Sequence, residues 1–348
     1  MKIYNKLCIS VSLCLGMMMG ACTSDDGVGE EQPKGLMPVL FSAGNMEAAI
    51  TRSASASYMP ENSRFVCSMF FHAGANDSND SQYAAPLSEV NMFSNELTIE
   101  GSLGNATYKD KKSFYWQNRL DHVFLAIADN HKPTEVPEGA VGGKLLCDLT
   151  RTDQMDLMKQ QPDPIVAYVK MSPAGATPEA NRVKLFFKHQ LAQIQINIKS
   201  SLDASASITA NQITNVELIG VARNATIPFS IKPNGDMQEL TVSEETQNFN
   251  MFGCSTPTSG YIKSFECIAF GTLKTIRVTW EEKDKDTEGN PYVHQVELKS
   301  VNNVDLLGGH RYIYNIELRR TGIAQLSAEI VDWTDDTASY ETKGTIKE

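Results

Sequence analysis

The thiol of Cys22 stands in a run, Met19-Gly20-Ala21-Cys22, whose neighbours suit it to a covalent reaction. Small residues before a cysteine let the chain lie extended in a peptidase cleft, and the thiol is then the nucleophile that takes a diacylglycerol. Elsewhere the usual catalytic constellations are missing: the chain has no HExxH and no GxSxG. Gly142-Gly143-Lys144 lacks the upstream glycine of a phosphate loop, and Leu145 stands where Ser or Thr would bind magnesium. The histidines (His72, His122, His131, His189, His294 and His310) are scattered without metal-ligand spacing. Asp284, Asp286 and Glu288 alternate before Gly289, like the start of a calcium loop. The bidentate carboxylate of such a loop would fall at Gln295, so a solvated hairpin turn is the expectation. His189 lies inside an apolar segment and reads as a core or interface histidine. Trp116, Trp280 and Trp333 are far apart within strand-like segments, which favours core packing over a sugar platform. These residues predict no catalytic group, no metal and no cofactor.

The elements around Cys22 give its chemistry a context. Lys2 and Lys6 precede an apolar run from Leu7 to Gly20. About 14 residues suit the core of a secretory signal, whereas a helix across a bilayer takes roughly 20. With Met19 to Cys22 the run resembles a bacterial lipobox, so residues 1–21 are expected to be a signal peptide and Cys22 the lipidated first residue of a lipoprotein. Residues 22–36 carry Asp25, Asp26, Glu30 and Glu31 among glycines, too polar to bury and so expected to be an acidic tether. Without residues 1–21 the chain carries 29 basic and 42 acidic residues, a net charge of −13. That excludes the basic stripe of a nucleic-acid binder and leaves membrane attachment to the lipid. Beyond Cys8, Cys14 and Cys22, four cysteines remain: Cys67, Cys147, Cys254 and Cys267. Export permits disulfides among them, Cys254 with Cys267 for one, and buried free thiols serve equally.

Most of the chain reads as short strands joined by Gly, Asn, Asp and Pro, the pattern of β-sandwiches. Residues 64–71, 122–128, 275–280, 292–298, 312–318 and 326–333 carry the strongest signals, and Thr152 to Gln160 has room for one or two helical turns. The Pro-containing polar stretch 171–182 places a boundary between an N-terminal sandwich, 37–180, and a C-terminal one, 181–348. Leu185, Phe187, His189 and Leu191 share one parity, while Ile194, Ile196 and Ile198 share the other. A period of two cannot hold through both sets, so a bulge or a change of sheet is expected near Gln190 to Gln193.

Several motifs carry a family resemblance: Val39-Leu40-Phe41-Ser42-Ala43 before Thr51-Arg52, Tyr115-Trp116 before Phe124-Leu125-Ala126, Asp156-Leu157-Met158, Phe187-Lys188-His189-Gln190-Leu191-Ala192, Gly308-Gly309-His310-Arg311-Tyr312-Ile313-Tyr314, and Ile330-Val331-Asp332-Trp333. In that order the chain resembles the fimbrillin family of Bacteroides and Porphyromonas relatives, with a polar extension, Thr334 to Glu348, as the departure. The resemblance implies two transthyretin-like β-sandwich domains and a surface-exposed, outer-membrane lipoprotein precursor. It further implies assembly with other fimbrial subunits into fimbriae that support adhesion and biofilm formation. In that scheme an arginine-specific protease cuts after Arg52, since Arg64 abuts a strand. The removable strand is Met37 to Ser42, with Met37, Val39, Leu40 and Phe41 its apolar residues. The candidate donor is Leu326, Ala328 and Ile330, unless that span is an internal strand of the C-terminal domain. A surface glycan-binding lipoprotein of a nutrient-uptake system is the alternative; it predicts exposed aromatics clustered on one face.

Overall fold

The computed structural model describes residues 36–45, 59–72 and 90–333, apart from 102, 110–112, 141–143, 151–154, 203–206, 233 and 321. The protein is all-β. Its strands are β1 (Phe41–Asn45), β2 (Arg64–His72), β3 (Val90–Glu100), β4 (Asn105–Tyr108), β5 (His122–Asp129), β6 (Lys144–Asp148), β7 (Pro164–Met171), β8 (Val183–His189), β9 (Ala192–Ser200), β10 (Ile213–Ala222), β11 (Asn224–Pro228), β12 (Thr241–Val242), β13 (Thr246–Asn250), β14 (Phe252–Gly253), β15 (Lys263–Ala269), β16 (Gly271–Lys285), β17 (Pro291–Leu306), β18 (His310–Arg319) and β19 (Gly322–Asp332). Within 152–160, where helical turns were expected, the described residues hold one short 3-10 turn at Met158–Gln160.

The first sheet closes on itself in the order β1-β4-β3-β2-β5-β7-β8. Phe65, Cys67, Met69, Phe124, Ala126, Leu185 and Phe187 fill its interior. On β5 every residue from His122 to Ala128 is buried, because the strand has apolar neighbours on both sides. Its outward residues Val123, Leu125 and Ile127 lie beneath Leu145 and Cys147 of β6, Ile227 of β11 and Phe229. Those two strands and β12 form a small separate sheet.

The parity conflict resolves as a change of sheet. β8 pairs with β7 in the closed sheet, and β9 starts three residues later in another sheet, between β15 and β18. Leu191 fills the corner with Ile268, Phe270 and Trp333. The corner packs so tightly that a Cβ on Gly308 would sit 2.3 Å from the Gln190 carbonyl oxygen, so glycine is required there. The remaining strands form two facing sheets, β13-β10-β16-β17 and β14-β15-β9-β18-β19. Their shared core includes Ile194, Ile196, Val216, Leu218, Val278, Trp280, Tyr312 and Ile316.

The charged loop between β16 and β17 is a hairpin turn held by Asp286, whose Oδ1 accepts the N–H groups of Glu288 and Asn290 at 2.9 and 2.8 Å. Cys67, Cys147, Cys254 and Cys267 are all free thiols. Burial pushes Cys147 up to about 12, so it packs as an apolar group rather than reacting. Trp116, Trp280 and Trp333 are buried, and Tyr292 is the one aromatic among the strongly exposed large apolar side chains of the described residues.

Candidate functional site

The segment 37–45 closes the first sheet. β1 lies parallel to β8, from Phe41 opposite Val183 to Asn45 opposite Phe187, and antiparallel to β4 for two residues, Phe41 and Ser42. Upstream, the Val39 N–H donates to the Phe114 carbonyl at 2.8 Å, and the Trp116 N–H to the Met37 carbonyl at 3.0 Å. The strand therefore has two neighbours on its β4 side: Gly104–Ala106 and Phe114–Trp116. Opposite the break between them, the Tyr108 hydroxyl donates to the Val39 carbonyl at 2.8 Å, taking the place of a missing backbone N–H. Burial pushes the Tyr108 phenol up, which keeps it protonated as a donor. Arg182 donates to the Phe41 carbonyl at 3.1 Å and also to Asn105 Oδ1.

Side chains of the segment obey a period of two. Val39, Phe41 and Ala43 are fully buried, while Leu40 and Ser42 are half-buried. Met37 packs partly on the same interior, and its sulfur accepts from the Asn181 amide. Phe41 meets three rings edge-on, Tyr108, Phe114 and Phe124, at centroid distances of 6.0, 6.1 and 5.5 Å. Of the four residues expected to form the removable strand, Met37, Val39 and Phe41 thus share one groove, and Leu40 lies on the other face.

His122 belongs to the same wall, stacked on Phe71 and edge-on to Trp116 at 5.0 Å. Its Nε2 accepts the Gln117 N–H at 3.2 Å, which leaves Nδ1 to donate to the Leu120 carbonyl at 2.9 Å. Burial lowers its pKa to about 4. The unfolded chain binds this proton near pH 6.5 and the folded chain does not, so the contribution of His122 to stability is whole above pH 6.5 and is lost as pH falls toward 4. The loss amounts to about 3 kcal/mol. Urea unfolding at pH 7 and pH 4 should therefore show a smaller acid loss in His122→Gln than in the wild type; equal losses would rule the assignment out.

Leu326, Ala328 and Ile330 lie on β19, the edge strand of its sheet, opposite Ile316, Tyr314 and Tyr312 of β18. Leu326 and Ile330 are nevertheless 45% and 42% exposed, because the facing sheet does not cover the strand's middle. β19 is anchored at its ends instead. Ile323 packs on the sandwich core, and Trp333 just beyond the strand stacks on His189 at 3.8 Å with an interplanar angle of 9°. His189 Nδ1 lies 2.9 Å from Asp163 Oδ1, and Asn130 Nδ2 donates to the other carboxylate oxygen at 3.0 Å. Nearby, the Gln161 amide binds both the N–H and the carbonyl of Ile268 on β15, at 2.7 and 3.1 Å.

Cys22 and Arg52 lie outside the described residues, while Arg64 opens β2 in an ion pair with Glu96. Sequence reasoning missed Tyr108, Arg182 and Asp163. Their contacts join residues 26–141 positions apart, and no local pattern announces them.

No curated protein matches the chain. Among solved structures, a candidate cell adhesion protein from Bacteroides uniformis ATCC 8492 superposes with a TM-score of 0.52 at 17% identity, covering 87% of this chain and 100% of that one. A second, from Bacteroides ovatus ATCC 8483, gives 0.50 at 14% identity with the same coverage. At these identities the likeness is one of fold. A family model described as fimbrillin-like matches residues 57–333, most of the all-β body just described, and the chain therefore belongs to the fimbrillin-like family.

Proposed function

We propose that the chain is a structural or accessory subunit of surface fimbriae that polymerises by strand exchange. Its β1 segment leaves, and a strand of another subunit takes its place. The observation that carries this reading is the position of segment 37–45 as the piece that closes the first sheet. Its longer ladder is parallel to β8 and its antiparallel ladder to β4 is two residues long, so its backbone pairing is interrupted on the β4 side. Taking it out leaves unpaired backbone groups on β8 on one side and on Gly104–Ala106 and Phe114–Trp116 on the other, with an apolar trough between. Such an edge pairs with any suitable extended chain. When a neighbour supplies that chain, the contact runs head to tail and does not close, so it propagates as a filament.

In this reading Arg52 is the cleavage point that frees segment 37–45, and Leu326, Ala328 and Ile330 form the strand that is donated. The two domains are residues 37–180 and 181–348, except that β8, from the second stretch, completes the sheet of the first. The lipid on Cys22 holds the precursor at the outer membrane before polymerisation, and the fibre supports adhesion and biofilm formation. Family membership argues for a structural role rather than catalysis. N-terminal sequencing of the surface-exposed form separates the outcomes. A start at Ser53 is expected for a polymerised subunit, and Arg52→Ala should then leave monomer on the surface. A blocked start at Cys22 in fibre-bound protein would overturn the scheme.

A further inference from the structure

The chain contains a second copy of the pattern that fills the groove. Val39-Leu40-Phe41-Ser42-Ala43 of the closing segment has its counterpart in Ala324-Gln325-Leu326-Ser327-Ala328 of β19. Both place a large apolar residue at the centre, Ser and Ala after it, and an aliphatic residue two positions before it. Building on the strand-exchange reading, we propose that the groove reads register: it takes residues 324–328 of a second copy, with Leu326 in the pocket of Phe41 and the Ala324 carbonyl on the Tyr108 hydroxyl.

Two kinds of contact in the groove support this assignment. Those made by Phe114, Gly104 and Val183 with the resident backbone, and by Tyr108 and Arg182 with its carbonyls, are indifferent to side chains. They fix where a strand lies, because Tyr108 faces a single carbonyl at the break in the neighbouring edge. The box of Tyr108, Phe114 and Phe124 reads the side chain two residues further on. Together they require a large apolar group at one position, with a small residue next on the inward face, where Ala43 is 1% exposed.

The donor side fits the same economy. Leu326 is 45% exposed in β19, so moving it to a closed pocket buries apolar surface that the free subunit leaves in water. The ladder that β19 gives up with β18 is exchanged for the shorter ladders of the groove, to β8 and to β4. Matching the two patterns in the same chain direction makes the donated strand parallel to β8, as β1 is. In that register Ile330 falls at the position of Asn45, beyond the box.

The register dictates which substitution matters. The full chain carries a specific cleavage sequence within residues 46–58 and is cut once, leaving the resident segment in place. Labelled peptides then compete for the groove, and displacement is read by fluorescence anisotropy. A peptide of residues 322–332 is expected to displace the resident. Leu326→Ala should weaken it by at least about 30-fold, and Ile330→Ala by less than about threefold. Tyr108→Phe in the protein should weaken native and Leu326→Ala peptides alike, by roughly fivefold. Equal losses from Leu326→Ala and Ile330→Ala, or better displacement by a peptide of residues 334–348, would overturn the register while leaving strand exchange intact. Failure of both peptides to enter the cut protein would overturn strand exchange itself.

Discussion

Replacing Phe41 by alanine in the uncut chain lowers the free energy of unfolding by about 3–5 kcal/mol, the range for removing a fully buried aromatic ring. The pocket cannot collapse around the loss. Its walls, Tyr108, Phe114 and Phe124, come from separate elements, each held by its own sheet neighbours or ring contacts. The cavity term therefore adds in full to the lost transfer energy. Leu40→Ala, on the half-buried face of the same strand, should cost less than half as much. The contrast matters because both residues share the backbone ladder to β8, so a large difference assigns the stability of the closed sheet to the inward row. Urea denaturation of the two variants at pH 7, with unchanged m-values, measures it. Equal losses would mean that the segment is held by its backbone and that the box has no selective role.

Much of this architecture could be read from single segments, because it depends on local periodicity. The largely apolar run from His122 to Ala128 signalled a strand, and the parity break between Leu191 and Ile194 signalled a bulge or a change of sheet, of which the structure shows the second. Met37, Val39, Leu40 and Phe41 are named through the family resemblance, and only the structure separates the buried Val39 and Phe41 from the half-buried Leu40. The closure of the sheet could not be read locally. It depends on β1 meeting β8 across some 140 residues, a pairing that no window of sequence contains. The role of Tyr108 is hidden in the same way. It sits in a short polar strand, and its hydroxyl matters only because the edge opposite Val39 is interrupted. The exposure of Leu326 depends equally on the reach of the facing sheet. An alternating apolar row looks the same in sequence whether or not another layer covers it.

Replacing Asp163 by alanine should cost about 3–5 kcal/mol, because His189 and Asn130 each lose a hydrogen bond to a buried carboxylate, at roughly 1.5–3 kcal/mol apiece, and should loosen β19 far from the substitution. Asp163 is fully buried. Its carboxylate holds His189 at 2.9 Å and Asn130 at 3.0 Å, with His131 Nε2 at 3.6 Å. Removing it deprives those side chains of their shared acceptor and takes away one of the contacts that orient the His189 ring. That ring is the platform for Trp333, and Trp333 is the anchor at the C-terminal end of β19. β19 buries little in its middle, so losing one anchor leaves Ile323 and the ladder to β18 to hold it. Hydrogen exchange of residues 322–332 should therefore accelerate in Asp163→Ala well beyond that of β9, which lies on the other side of β18 and has buried residues throughout its core face. Asp163→Asn, which keeps an acceptor of the same shape, should restore most of the protection. Because His189 ends β8, the strand that receives β1, the chain of contacts from Asp163 through His189 to Trp333 ties the wall of the acceptor groove to the end of the proposed donor. Under the strand-exchange proposal, this link keeps groove and donor joined until polymerisation. Uniform acceleration of exchange across β9 and β19 would show that Asp163 supports only global stability and that no such tie exists.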